Sequence, residues 1–173
     1  MKKIIFLLIT LCLIIGCTDS HRLNISESDS SAKFLSTDTV LISLSKDGGY
    51  GSTQYTGSAD ELSRIIKAAL MYRLVNVEID TKHRDFQSSI EYASKGNFDY
   101  LVYPVILHWE DRATEWSVKP DKVKVKIIVV RLEDKKIIKS GVIDGKSGIA
   151  TLGGDKPQDL LPEPIEQFMK GLY

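Results

Sequence analysis

The chain has 173 residues, enough for one domain and short for two. Of these, 43% are hydrophobic, 27% charged and 8% aromatic, a globular balance that excludes a disordered tail, a collagen-like repeat and a multispanning membrane protein. The 23 basic and 23 acidic groups cancel, so the electrostatic footprint of a general nucleic-acid binder is missing and no nucleic-acid partner is expected.

Lys2 and Lys3 precede an unbroken apolar run from Ile4 to Ile15, followed by Gly16-Cys17. Twelve residues at 1.5 Å rise reach about 18 Å, short of the roughly 30 Å hydrocarbon core, so the run reads as a cleaved export signal over residues 1–16 and not as a spanning helix. Leu13-Ile14-Ile15-Gly16-Cys17 resembles the bacterial lipobox, which makes Cys17 the expected lipidation site, with diacylglycerol on its sulfur and three acyl chains in the mature form. Two membrane signals already suffice for stable attachment, so such an anchor is effectively permanent. Thr18, where lipoproteins retained in the inner membrane carry Asp, points to the outer membrane of a Gram-negative envelope, with the domain facing the periplasm. Cleavage removes Cys12 and both lysines. The mature chain then has 21 basic against 23 acidic groups and no free thiol, which excludes disulfides and thiolate metal sites.

From residue 17 to 36 the chain is rich in Ser, Asp and Glu, has few large apolar residues and shows no period. It reads as a flexible tether with a root-mean-square span of roughly 25 Å. Residues 37–173 form the expected single domain. Thr39–Leu44 is a β-branched run that predicts a strand, and the Gly-, Ser- and Tyr-rich stretch from Asp47 to Gly57 predicts a loop. Ser58 three residues before Glu61 has capping-box spacing, and Leu62, Ile65, Ile66 and Ala69 continue it as a helix. Val75, Val77 and Ile79 alternate as a second strand. Phe86, Ile90 and Ala93 mark a second helix ending near Gly96, and a third strand runs from Asp99 to Trp109. Asp121–Glu133 and Lys135–Lys146 predict an antiparallel hairpin. Behind Pro157, Pro162 and Pro164, the residues Ile165, Phe168, Met169 and Leu172 predict a final helix that covers the sheet. The sum is an α+β domain, β-α-β-α-β-β-β-α, with a mixed sheet and helices packed on it.

Most catalytic patterns fail on spacing. A dinucleotide fingerprint starting at Gly49 needs glycine where Gln54 stands, and Gly145-Lys146-Ser147 lacks the leading glycine of a phosphate loop because Ser140 occupies that place, so no nucleotide is expected. His108-Trp109-Glu110 matches half of a zinc deaminase motif whose cysteine half is absent, and no Gly-x-Ser-x-Gly elbow is present. No cofactor or metal is expected.

The densest cluster is Trp109-Glu110-Asp111-Arg112-Ala113-Thr114-Glu115-Trp116, which holds both tryptophans. It reads either as tryptophans capping the core with Arg112 paired to a carboxylate, or as a recognition patch, since Trp and Arg concentrate binding energy at interfaces. Trp109, Glu110, Asp111, Arg112, Glu115 and Trp116 are therefore candidate binding residues, joined by Tyr50 and Tyr55 of the glycine-rich stretch. Glu110 and Glu115 also offer an acid and a base for glycan cleavage. Lys122, Lys124 and Lys126 share one face of their strand, a pattern of solvated sheet faces or of surfaces facing an anionic envelope partner.

The element order looks like that of envelope lipoprotein domains such as the curli secretion lipoprotein and the N-terminal domain of TolB, an analogy of fold that also brings ring-like self-assembly into view. Closer in sequence, the chain resembles a family of uncharacterised bacterial lipoproteins catalogued as a domain of unknown function. The resemblance rests on Gly49-Tyr50-Gly51, on Phe98-Asp99-Tyr100-Leu101, on the stretch from His108 through Trp116-Ser117, and on Gly153-Gly154-Asp155 with Pro157-Gln158-Asp159-Leu160-Leu161-Pro162. Val118 departs from it, standing where the pattern has glycine. The resemblance implies lipidation and fold and carries no activity. The expectation is a non-enzymatic outer-membrane binding or assembly module whose partner is an envelope protein or the cell wall, with an envelope glycan hydrolase and a self-assembling secretion component as the alternatives.

Overall fold

A computed structural model of the chain describes residues 19–112, 120–148 and 156–173. Among the described residues there are eight strands, β1 (Ser20–Ser28), β2 (Thr39–Leu44), β3 (Gly48–Tyr50), β4 (Thr53–Tyr55), β5 (Asn76–His83), β6 (Tyr100–Glu110), β7 (Lys122–Arg131) and β8 (Lys136–Lys146). The helices are α1 (Ser58–Met71), α2 (Phe86–Lys95) and α3 (Pro162–Lys170), the last preceded by a 3₁₀ turn over Pro157–Leu160.

The main sheet has six strands in the order β1-β8-β7-β6-β2-β5. β2 lies parallel to both β5 and β6, while β6, β7, β8 and β1 pair antiparallel in succession. The two crossovers, β2-α1-β5 and β5-α2-β6, step in opposite directions across β2. Right-handed connections therefore place α1 and α2 on opposite faces. The core divides accordingly. Leu62, Ile66 and Leu70 of α1 and Ile165, Phe168 and Met169 of α3 pack with Val40, Ile42, Val123, Val125 and Ile127 on one face. Ile90 and Ala93 of α2 pack with Leu41, Leu101, Val130 and Leu132 on the other.

The α+β class, the three predicted strands ahead of the hairpin, all three helices and the β7-β8 hairpin stand where the sequence puts them, the first strand with its bounds Thr39–Leu44 unchanged. Four differences stand beside these. Residues 20–28, expected within a flexible tether, form edge strand β1 on β8, with Ser20 opposite Lys146 and Ser28 opposite Lys139. An edge strand draws its stability from backbone hydrogen bonds and needs little burial, so only the half-buried Leu23 packs against the core and the period-2 signal is faint. Ala32 and Phe34, also expected in the tether, lie in the core, the Phe34 ring 4.6 Å from that of Tyr100. The predicted loop after β2 is a small hairpin, β3-β4, turned by Gly51 at φ 59°. Finally, the capping box at Ser58 does not form. Asp47 caps α1 from outside, its Oδ1 accepting from the backbone N–H of Gly57 at 3.1 Å and of Ala59 at 3.0 Å, while Ser58 Oγ accepts from Gly48 N–H.

Candidate functional site

The candidate residues that the structure describes converge on one end of the sheet, where β6 ends, β7 begins and the β3-β4 hairpin crosses. Gly48 makes this crossing possible: a Cβ there would stand 2.5 Å from Trp109 Cβ and 2.7 Å from Ile106 Cγ2, so only glycine lets β3 lie against β6. Asp47 and Gly57 close the hairpin at its base, and capping of α1 by Asp47 ties it to the helix.

Alternation along β6 splits the tryptophan-rich segment between two environments. Trp109 points into the core and is 3% exposed. His108 and Glu110 take the other face, after a bulge between Ile106 and His108. Glu110 is only 2% exposed; its carboxylate is ion-paired with Arg112, whose Nε donates at 2.6 Å, and lies 3.3 Å from His108 Nε2. Burial alone would raise the Glu110 pKa, but hydrogen bonds from Arg112 and His108 and the arginine's charge outweigh it and hold the carboxyl below the ordinary carboxylate value. The same pairing raises Arg112. Tyr50, about half exposed at the end of β3, closes over the group, its ring edge-on to His108 at 5.1 Å and 5.8 Å from the Arg112 guanidinium.

A second set of contacts fixes the exit from β6. Arg112 N–H donates to Asp121 Oδ1, and the Asp121 backbone exchanges hydrogen bonds with Ser147 through its N–H (2.8 Å to Ser147 Oγ) and its carbonyl (3.1 Å from Ser147 N–H). Tyr55 Oη donates to the Asp111 carbonyl at 3.3 Å. Tyr55, Trp109 and Asp111 line a shallow groove of about 240 Å³ against the N-terminus of α1, with Gln158 and Lys156 on its far wall.

Tyr50, Tyr55, Trp109, Glu110, Asp111 and Arg112 are therefore neighbours. Glu115, Trp116 and Cys17 lie outside the described residues. Within the group, Trp109 and Glu110 are withdrawn from solvent, and Tyr50, Arg112 and Asp111 face it. A carboxyl kept ionised by an arginine is poorly suited to act as the general acid of glycan cleavage, which needs a raised pKa. Among the described residues no group of three or more His, Cys, Asp or Glu side chains is arranged to hold a metal ion. No described helix is long and apolar enough to cross a membrane. Sequence reasoning missed Asp47 as the organiser of this end, since its partners lie ten and twelve residues away and leave no local pattern. It weighed His108 only as a zinc ligand, whereas the residue pairs with Glu110 across the i, i+2 spacing of one strand face.

The chain belongs to the family described as a domain of unknown function, DUF4823, whose model matches residues 32–172. No curated protein matches it. Among solved structures it is similar to the PelC dodecamer from Paraburkholderia phytofirmans, with 13% identity, a TM-score of 0.64, and coverage of 90% of this chain and 97% of that one. It is also similar to lipoprotein GNA1162 from Neisseria meningitidis, with 11% identity, a TM-score of 0.52, and coverage of 77% and 96%. At these identities the likeness is one of fold.

Proposed function

We propose that the chain is a lipoprotein of the bacterial envelope, anchored through Cys17 to the outer membrane, whose domain binds another envelope component without catalysing a reaction on it. The observation that carries the reading is the join between anchor and domain. The lipobox run Leu13–Cys17 is followed at Ser20 by the first strand of a domain whose fold is shared with a named lipoprotein. The recognition surface is the hairpin end, where Tyr50, Asp111 and Arg112 are presented on a frame made rigid by Trp109 and the buried Glu110. The test is photo-crosslinking in cells, with the reactive group at Thr53 in the hairpin and a control at Glu133 at the opposite end of the sheet. A discrete adduct from Thr53 alone supports the reading; no adduct from Thr53, in a chain shown to be folded and acylated, overturns it.

Self-assembly is the second reading. An apolar groove of about 440 Å³ runs between α1 and α3, lined by Ile65, Ala69, Pro162 and Tyr173, with Tyr72 beside it 82% exposed. The PelC relative in fold is described as a dodecamer. Native mass spectrometry of the acylated protein in detergent separates a monomer from a ring.

A further inference from the structure

The sheet face opposite α1 and α3 is only partly covered. α2 shields the portion around Leu41, Leu101, Val130 and Leu132. Beyond it, toward the start of β1, strand register puts Arg22, Lys122, Lys124, Lys126 and Lys146 on the same side. Asp144, bridged to Lys124 at 3.3 Å, stands among them, and Glu27 lies further along β1. Lys122 and Lys146 are directly opposite one another on neighbouring strands; both are exposed, and neither is ion-paired among the described residues. Like charges so placed repel, and the carboxylate across from Lys122 on β6, Glu110, is buried and already paired with Arg112. Lys126 sits between Val105 and Val142 in strand register and is partly buried.

The same corner is where the chain enters the domain. Ser20 lies opposite Lys146, which lies opposite Lys122. Asp19 is already fixed, its Oδ1 accepting from Gly148 N–H at 2.9 Å. Only Thr18 and Asp19 separate Cys17 from β1, a reach of about 10 Å at most, and two strand spacings of about 4.8 Å lead on from Ser20 to Lys122. A lipid on Cys17 therefore holds these lysines within roughly 20 Å of the bilayer surface.

We propose that this basic sheet face docks on the anionic headgroups of the membrane that holds the anchor, so that the domain lies with α1 and α3 turned away from the bilayer. The inference rests on lipidation of Cys17, and it adds an orientation and a second, electrostatic membrane contact. Each lysine near an anionic surface strengthens partitioning by about fivefold, so three neutralised lysines cost on the order of a hundredfold in the docking equilibrium.

The test uses the acylated protein reconstituted in phosphatidylcholine vesicles with or without phosphatidylglycerol. A fluorophore is attached at Asn24→Cys on the basic face or, as control, at Ala68→Cys on α1, and quenching by a headgroup-labelled lipid is read. Docking predicts quenching at position 24 that requires phosphatidylglycerol, fades with salt, and falls to the level of position 68 in a Lys122→Gln, Lys124→Gln, Lys146→Gln variant with an unchanged circular-dichroism spectrum. Equal quenching at both positions, quenching indifferent to phosphatidylglycerol, or an unaffected triple variant overturns the proposal. Shielding of position 24 in detergent alone assigns the face to a second copy and also overturns it. The mass of the N-terminal peptide reads acylation separately. If no acyl group is present, anchoring fails, and sedimentation of the same chain with phosphatidylglycerol vesicles still decides whether the face binds them.

Discussion

The two faces of β7 differ as sharply as a core and a surface, although they are written in one ten-residue segment. Val123, Val125, Ile127 and Val129 are 0–1% exposed beneath α1, α3 and the 3₁₀ turn, whereas Lys122 and Lys124, one residue away, are exposed. What distinguishes the faces is the helix that returns over each one. The two helices on the first face cover nearly its whole width, and α2 covers only one end of the second. A polar face needs no helix to cover it, which frees it to meet a partner. The first face holds the domain together, and the second is available for work.

Substitutions on each face put that contrast to the test. The largest effect is expected on the closed face: Ile127→Ala leaves a cavity in the core that Ile127 shares with Phe168 and should cost about 2–5 kcal/mol in urea unfolding. Gly48→Ala follows, since its Cβ would drive into Trp109 and Ile106; an overpacking cost of about 1–3 kcal/mol is expected, with the hairpin rather than the sheet losing hydrogen-exchange protection. Asp47→Ala removes the cap that links hairpin and α1 and should cost about 0.5–2 kcal/mol by the same unfolding measurement. Lys124→Ala on the open face should change stability by no more than about 0.5 kcal/mol, since its bridge to Asp144 is half exposed. A cost on the scale of Ile127→Ala there would mean that the second face is structural as well.

Acid provides a further probe, at the hairpin end. Glu110 is held below its ordinary value of 4.5, so the unfolded chain binds its proton first as pH falls. Its stabilising contribution is full above 4.5 and is lost as pH drops through the lower folded-state pKa. Wild type should therefore lose stability in that acid window more steeply than Glu110→Gln, as read by thermal unfolding across pH. Parallel curves would show that the Arg112 pairing contributes nothing.

Much of the hairpin end was readable one residue at a time, but its roles were not. The Trp109–Arg112 segment stands out by residue type, and pairing of Arg112 with a carboxylate was one of its two readings. Whether Trp109 points inward depends on strand phase, and the bulge after Ile106 resets that phase without any local mark. The β3-β4 hairpin escaped because three-residue strands carry no usable period, and β1 escaped because its partner is more than a hundred residues away.

By itself the sequence determined what depends on neighbours along the chain: an apolar run too short to span with a cysteine just behind it, three amphipathic helices with four- and three-residue spacing, and the alternating strands of the β7-β8 hairpin. Only the tertiary structure decided what depends on distant partners. It made a polar segment into β1 by offering it the free edge of β8, moved the α1 cap from Ser58 to Asp47, and buried Glu110 beside Arg112. It also aligned Lys146 with Lys122 and Ser20, placing the basic face at the corner where the chain enters the domain. The physical reason is the same in each case: local periodicity fixes which way a side chain points relative to its own backbone, and strand pairing and helix return fix what it meets there.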